Sequence, residues 1–233
     1  MKKILAAGLL IAPYTLAMAQ SSVTLDGIVD TAVRRTNNEE PAGNIGMSQT
    51  QMIGGGMSQS RWGINVTEDM GNGLKAIANL ENRFTPDNGA QGVGQPLFAQ
   101  SWVGLQGSLG RLTVGRQYNV LFDVVTSTYA SFPYSPYMEA FKPEIGMSMG
   151  SRSNNMLKYT AEYGPFRGSL QYSMDEGNTV DALGATAAAA GAFKTAGGYL
   201  RYSANGISAG AGDLNTTLPG GTKVEAWTVG TSY

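Results

Sequence analysis

Hydrophobicity alternates with a two-residue period along almost the whole chain after residue 20, and few folds accept that pattern over such long segments. In residues 23–34, Val23, Leu25, Gly27, Val29, Thr31 and Val33 form one parity, while Thr24, Asp26, Ile28, Asp30, Ala32 and Arg34 form the other. In 60–67, Trp62, Ile64 and Val66 alternate with Arg61, Gly63, Asn65 and Thr67. In 74–84, Leu74, Ala76, Ala78, Leu80 and Phe84 alternate with Lys75, Asn79, Glu81 and Arg83, and Ile77 and Asn82 break the pattern. In 154–163, Leu157, Tyr159, Ala161 and Tyr163 oppose Asn154, Lys158, Thr160 and Glu162. Residues 166–175 follow suit, and 97–107, 111–118, 195–203, 207–214 and 222–232 bring the total to ten such segments. Most run about 9–12 residues, the length of a tilted strand that crosses a bilayer.

The connections alternate between short (68–73, 108–110, 164–165, 204–206) and long (36–59, 85–96, 119–151, 176–194, 215–221). That is the pattern of an outer-membrane barrel, with short turns on the periplasmic side and long loops outside. Trp62, Phe84, Tyr118, Tyr163, Phe166 and Tyr202 fall near segment ends, where interfacial aromatic girdles sit. A soluble β-sandwich also alternates, but its strands are shorter and its core needs more large side chains than the Gly-, Ala-, Leu- and Val-rich face seen here.

Composition removes whole classes of chemistry. The 233 residues contain no Cys and no His, so there is no disulfide framework, no Cys-based zinc site and no His base for a Ser-His-Asp arrangement. No cofactor, metal or nucleotide constellation is present, and an enzyme is not expected. A formal net charge of −1 gives no electrostatic case for nucleic acid as a partner. Lys2 and Lys3, an apolar stretch over 4–16 interrupted by Pro13, and the Ala17-Met18-Ala19 end read as a secretory signal, residues 1–19, cut after Ala19. No later run reaches 18 consecutive apolar residues.

The motifs carry a family resemblance. QSSVTLDGIVD at 20–30 resembles the mature start of Gram-negative general porins. GGMSQSRWGINVTEDMGNGLKAIANLENRF at 55–84 is similar to their second strand, tight turn and third strand. WVGLQGSLGRLTVGRQYN at 102–119 resembles strands four and five running into the third loop, and RSNNMLKY at 152–159 resembles the sixth strand. The closest flavour is that of β-proteobacterial porins.

The resemblance implies an all-β fold, a transmembrane antiparallel β-barrel of the sixteen-stranded porin type, with about ten strands present over 20–233. It implies the outer membrane as location, a passive diffusion channel for ions and small hydrophilic solutes, outer-membrane lipid around it, and a homotrimer. It carries over a basic wall of Arg61, Arg116 and Arg152 facing carboxylates on a constriction loop at 119–151, namely Asp123, Glu139 and Glu144. Strict alternation places Arg116 with Leu112 and Val114, so Arg116 must lie past the regular strand or beside a bulge. Asp26, Asp30, Lys75, Glu81, Arg83, Lys158 and Glu162 are expected to face the lumen, and those from Lys75 onward, with Arg167 and Arg201, to do no more than solvate its wall. Where the family pattern leads one to expect another Arg, the chain reads Ala99-Gln100-Ser101-Trp102.

A porin of this kind needs over 300 residues, so the resemblance implies a chain that stops near the tenth strand, with Tyr233 an interior aromatic. The alternatives are a structural or adhesive barrel with no channel, and a truncated, non-functional porin fragment. Of the remaining segments, 185–190 (ATAAAA) and 47–57, rich in Met, Gln and Gly, read as loop, and 131–141 as a place for a short helix inside the third loop.

Overall fold

The computed structural model describes residues 21–39, 47–92, 96–128, 150–174, 179–180, 186–187, 194–218 and 221–233. In chain order the strands are β1 (Ser22–Ile28), β2 (Thr31–Glu39), β3 (Met47–Gly54), β4 (Arg61–Gly71), β5 (Leu74–Arg83), β6 (Gln100–Gly107) and β7 (Gly110–Tyr118). After helix α1 (Val120–Thr128) come β8 (Arg152–Tyr163), β9 (Phe166–Ser173), β10 (Thr179–Val180), β11 (Thr186–Ala187), β12 (Lys194–Ala204), β13 (Ile207–Thr217) and β14 (Lys223–Ser232). Ten of these strands form one antiparallel sheet in the order β1-β4-β5-β6-β7-β8-β9-β12-β13-β14. β1 pairs only with β4 and β14 only with β13, so the described sheet is open.

Two of the short turns owe their tightness to Asn-Gly pairs. Asn72 and Gly73 have φ of 54° and 76°, and Asn205 and Gly206 have 53° and 78°. Positive φ at both central residues is the mirror-image turn whose twist matches an antiparallel hairpin. β4 therefore runs on to Gly71, and the connection expected over 68–73 shrinks to two residues.

Three expectations need correction. The segment expected over 23–34 is two strands, because Asp30 interrupts it. Its carboxylate accepts the backbone N–H of Gly56, Met57 and Ser58 at 2.9, 3.0 and 2.8 Å. Its own N–H donates to Ser60 Oγ, and its carbonyl accepts from Gly55 N–H. This knot ends the β1–β4 ladder, and β2 turns away to pair with β3, which lies inside the connection expected to be loop. Likewise β10 and β11 form a minimal hairpin where only loop was expected. α1 opens the third connection where no helix was expected, and 131–141, read as a place for a short helix, lies outside the described residues.

The helix begins where it does because Asn119 caps it. Asn119 Oδ1 accepts the N–H of Phe122 at 2.9 Å, and the Val120 N–H donates to Gln171 Oε1 at 2.7 Å. Helix starts leave such donors unpaired, and a side-chain oxygen at the cap satisfies them. Val120, Leu121 and Val124 then pack with Tyr199, Leu214 and Ala226 in the apolar cluster between α1 and β12–β14. Full burial of each such aliphatic side chain contributes roughly 1.5–3 kcal/mol. The fit depends on Gly210 of β13, where a Cβ would stand 2.8 Å from both Val124 Cγ2 and Thr128 Oγ1.

Candidate constriction site on the helix-bearing face

α1 divides the sheet into two unlike faces. The face turned away from it is an apolar surface open to the surroundings, with Leu170, Leu200, Trp227 and Val229 each 58–69% exposed. Val23, Leu25, Val103, Leu105, Leu112, Val114, Leu157 and Tyr159 continue it across the sheet. An exposed apolar surface of that extent requires a cover, and lipid supplies one for a strand wall. The helix-bearing face is polar: Thr113, Lys158, Thr160, Ser169, Gln171 and Thr195 are buried there in a hydrogen-bonded band.

At one end of that face the register sets Arg61 directly opposite Arg83. Two like charges in that relation repel. Glu81, two residues before Arg83 and on the same side, offsets them: its carboxylate stands 3.0 Å from Arg83 Nε and 3.8 Å from Arg61 Nε. It also lies 3.7 Å from Arg152 Nη2 and accepts from Gln100 Nε2 at 3.3 Å. Tyr118 ties the group to the loop. Its hydroxyl accepts from Arg83 Nη2 at 2.8 Å and Arg152 Nη2 at 2.6 Å. Its ring stacks on Phe122 of α1 at 3.9 Å between centroids, and the Arg152 guanidinium lies 4.2 Å from the Tyr118 ring centre. Cation–π contact and a shared hydroxyl acceptor thus hold two guanidiniums in fixed positions.

Arg116 joins this group through a break in the ladder. The β7–β8 register shifts between Gly115 and Gln117, Gly115 has φ of 130° and Asn155 has φ of 50°. Arg116 Nη1 donates to Asn154 Oδ1 at 2.5 Å, and its charge is within range of Arg152 and Arg83. Lys158, deeper on β8, donates to Asp123 Oδ2 at 2.8 Å and to the Tyr118 carbonyl at 2.7 Å. So among the described residues Arg61, Arg83 and Arg152 share one carboxylate, Glu81, with Arg116 held beside them by Asn154, and Asp123 is engaged elsewhere.

Arg61, Arg116 and Arg152 do come together. Asp123 is on the loop but meets Lys158 rather than the arginines, and Glu139 and Glu144 lie outside the described residues. Asp26 sits on the helix-bearing face, where Asn65 Nδ2 donates to it at 2.7 Å. Lys75 shares that face with Glu81, and Glu162 pairs with Arg167 at 3.3 Å. Asp30 leaves the charged strand face altogether, because it is spent on the turn amides. Tyr118 is no girdle residue; its hydroxyl is needed by Arg83 and Arg152. Glu81, Arg83 and Lys158 were expected only to solvate the wall, yet Glu81 is the counter-ion and Lys158 the helix anchor. Parity placed Arg61, Glu81 and Arg83 on the charged side; only the β4–β5 register brings them together.

An antiparallel wall with one lipid-compatible face, a charged opposite face and a helix folded onto it from a long connection is the wall of a transmembrane β-barrel with an inward loop. A family model described as Gram-negative porin matches residues 6–233. Outer membrane porin protein 32 of Delftia acidovorans is 35% identical over 242 residues, covering 100% of this chain and 66% of that protein. Major outer membrane protein P.IB of Neisseria meningitidis serogroup A is 32% identical, covering 76% of this chain and 51% of that protein. Among solved structures, the anion-selective porin from Comamonas acidovorans superposes with a TM-score of 0.70 at 31% identity, over 92% of this chain and 64% of its own. OmpF of Salmonella typhi shares the fold with a TM-score of 0.60 at 17% identity, over 92% of this chain and 62% of its own. The chain belongs to the Gram-negative porin family, and the outer membrane is its location. It spans about half to two thirds of the length of these relatives.

Proposed function

We propose that this chain forms the wall of an outer-membrane channel that passes ions and small hydrophilic solutes passively, with anions favoured. The observation that carries the reading is the charge group at Tyr118, where Arg61, Arg83, Arg116 and Arg152 gather and, among the described residues, Glu81 is the one carboxylate within ion-pair distance of any of them. Fixed charge along a narrow wet path sets ion preference without any binding chemistry, and it orders water that an apolar solute would have to displace. In this reading the helix-bearing face is the lumen, and the third loop narrows it at Arg61, Arg83, Arg116 and Arg152. Glu139 and Glu144 on that loop complete the transverse field, residues 1–19 direct export with cleavage after Ala19, and the assembly is a homotrimer. No catalytic step is part of the proposal. A bilayer does not tolerate rows of unpaired backbone groups, so the conducting form is one in which the edges of β1 and β14 are paired.

The test is planar-bilayer conductance of the refolded chain across a potassium chloride gradient. Stable steps with a reversal potential on the anion side support the reading. Cation preference, or no conductance from a folded protein, overturns it.

A further inference from the structure

Gly63 of β4 leaves a gap in the charged wall. The registers of β1, β4 and β5 set three rows across the helix-bearing face: Ile28, Arg61 and Arg83; Asp26, Gly63 and Glu81; Thr24, Asn65 and Asn79. Gly63 is the middle position of the nine, and it brings no side chain. A Cβ there would stand 3.3 Å from Asp26 Oδ1 and 2.9 Å from the Leu80 carbonyl oxygen. A cleft of about 300 Å³ opens over this gap, lined among others by Asp26, Ile28, Arg61, Asn65 and Glu81.

The cleft has two ends of opposite sign. Asp26 is exposed and makes no ion pair among the described residues. Its Oδ2 accepts from Asn65 Nδ2 at 2.7 Å, and Asn65 Oδ1 accepts from Asn79 Nδ2 at 2.7 Å. That relay fixes the carboxylate and leaves Oδ1 over the glycine. One row nearer the loops stand Arg61 and Arg83, which share Glu81 with Arg152, so that end is positive. Arg61 lines the cleft, with its Nε 3.8 Å from Glu81 and its Nη1 donating to Ser58 Oγ at 3.2 Å. Adjacent rows are two residues apart, roughly 7 Å along the strand.

We propose that the cleft over Gly63 is a docking subsite for small zwitterions, of which α-amino acids are the type, with the ammonium on Asp26 Oδ1 and the carboxylate toward Arg61. An α-amino acid carries its two charges on one carbon. With a charge-assisted hydrogen bond of about 2.8 Å at each end, it bridges one row. A lone anion in the cleft meets Asp26, and a lone cation meets the arginines, so each leaves one like-signed neighbour unanswered. The zwitterion leaves neither. Its part in transit rests on the channel reading: a lumen whose arginine group favours anions would also hold, at its side, a place for solutes of zero net charge.

The test is saturation-transfer NMR titration of three probes of similar size into the refolded full chain in detergent at low ionic strength. L-Alanine carries both charges, propionate lacks the ammonium and ethylammonium lacks the carboxylate. Alanine should bind at least fivefold more tightly than either. Asp26→Asn keeps an oxygen for Asn65 and removes the charge, so it should weaken alanine several-fold while leaving propionate as strong or stronger. A merely structural role for Asp26 would weaken both. Arg61→Gln should weaken alanine and spare ethylammonium. Alanine no tighter than propionate on the unaltered chain, which needs no variant, overturns the subsite. So does alanine affinity unchanged within twofold in folded Asp26→Asn. Conductance separates the two proposals. A conducting chain whose alanine affinity ignores Asp26 has the channel without the subsite, and a non-conducting chain with Asp26-dependent alanine binding has the subsite without the channel.

Discussion

Lys158 Nζ lies 2.8 Å from Asp123 Oδ2, a single ion pair that fastens the loop helix to the middle of the wall. The Lys158 side chain is 5% exposed and that of Asp123 21%. Removing one partner therefore strands the other in a poorly solvated place.

Lys158→Met should lower stability by about 1.5–3 kcal/mol, the worth of a hydrogen bond to a charged group. Urea unfolding with the same m-value would read it out. In single-channel records the variant should show broader open-state noise, because α1 keeps its apolar seat but loses its ionic one. A record as quiet as that of the unaltered chain would show that the ion pair does not restrain the helix.

Glu81→Gln removes the carboxylate shared by Arg61, Arg83 and Arg152. The mutual repulsion of the arginines then goes unopposed, and stability should fall by roughly 1–3 kcal/mol. Reversal potential should move further to the anion side. Movement toward cations would contradict the assignment of fixed charge to this group.

Gly210→Val places branched carbon where a Cβ already meets Val124 and Thr128 at 2.8 Å. Overpacking of this kind costs about 1–3 kcal/mol. The expected result is displacement of α1 with the strands intact. Amide exchange should quicken at the helix N–H groups and stay slow in β13 and β14. Equal protection in both would mean that the helix seat tolerates the extra volume.

Asp30 gives a pH signature outside the strands. Backbone N–H donors from Ser58 and Met57, with Gly56, hold its carboxyl below the ordinary value of 3.8, against a smaller opposing effect of burial. A carboxyl lowered by folding stabilises the fold above its unfolded value, and that contribution is lost as pH falls through the lowered one. The β1–β2 corner should therefore hold at pH 5 and loosen below about 3.8, seen as faster amide exchange at Gly56, Met57 and Ser58. Asp30→Asn should remove the pH dependence and leave the corner loose throughout.

The period-two pattern made the ten-stranded sheet legible, because a wall with lipid on one side and water on the other writes its two faces into alternate residues. It also marked Arg116 as anomalous, and the β7–β8 register shift lies beside that residue. The corner at Asp30 was hidden for a physical reason. Alternation continues through Val29 and Thr31, and nothing local shows that the Asp30 carboxylate bonds amides about 27 residues further on. The helix at Val120 was hidden too, since β-branched valines suit a strand, and the cap by Asn119 and the donor to Gln171 appear only once β9 lies alongside. The charge group shows the same limit. Residue types and faces can be read from one strand, but the Glu81 hub depends on the registers of β4 with β5 and of β7 with β8.

Asn119 receives both ends of the long third connection. Its N–H donates to the Ser151 carbonyl at 3.0 Å, and its Nδ2 donates to the Gly150 carbonyl at 2.7 Å. The sequence between leaves the wall and rejoins it at one point, so insertions or deletions there need not disturb the pairing of β7 with β8. Doubling a loop whose ends are already clasped costs only about 0.6 kcal/mol. The clasp makes the part of the connection beyond α1 a cassette: its length and composition can be exchanged without rebuilding the wall, while α1 keeps the seat that Tyr199, Leu214, Ala226 and Lys158 provide.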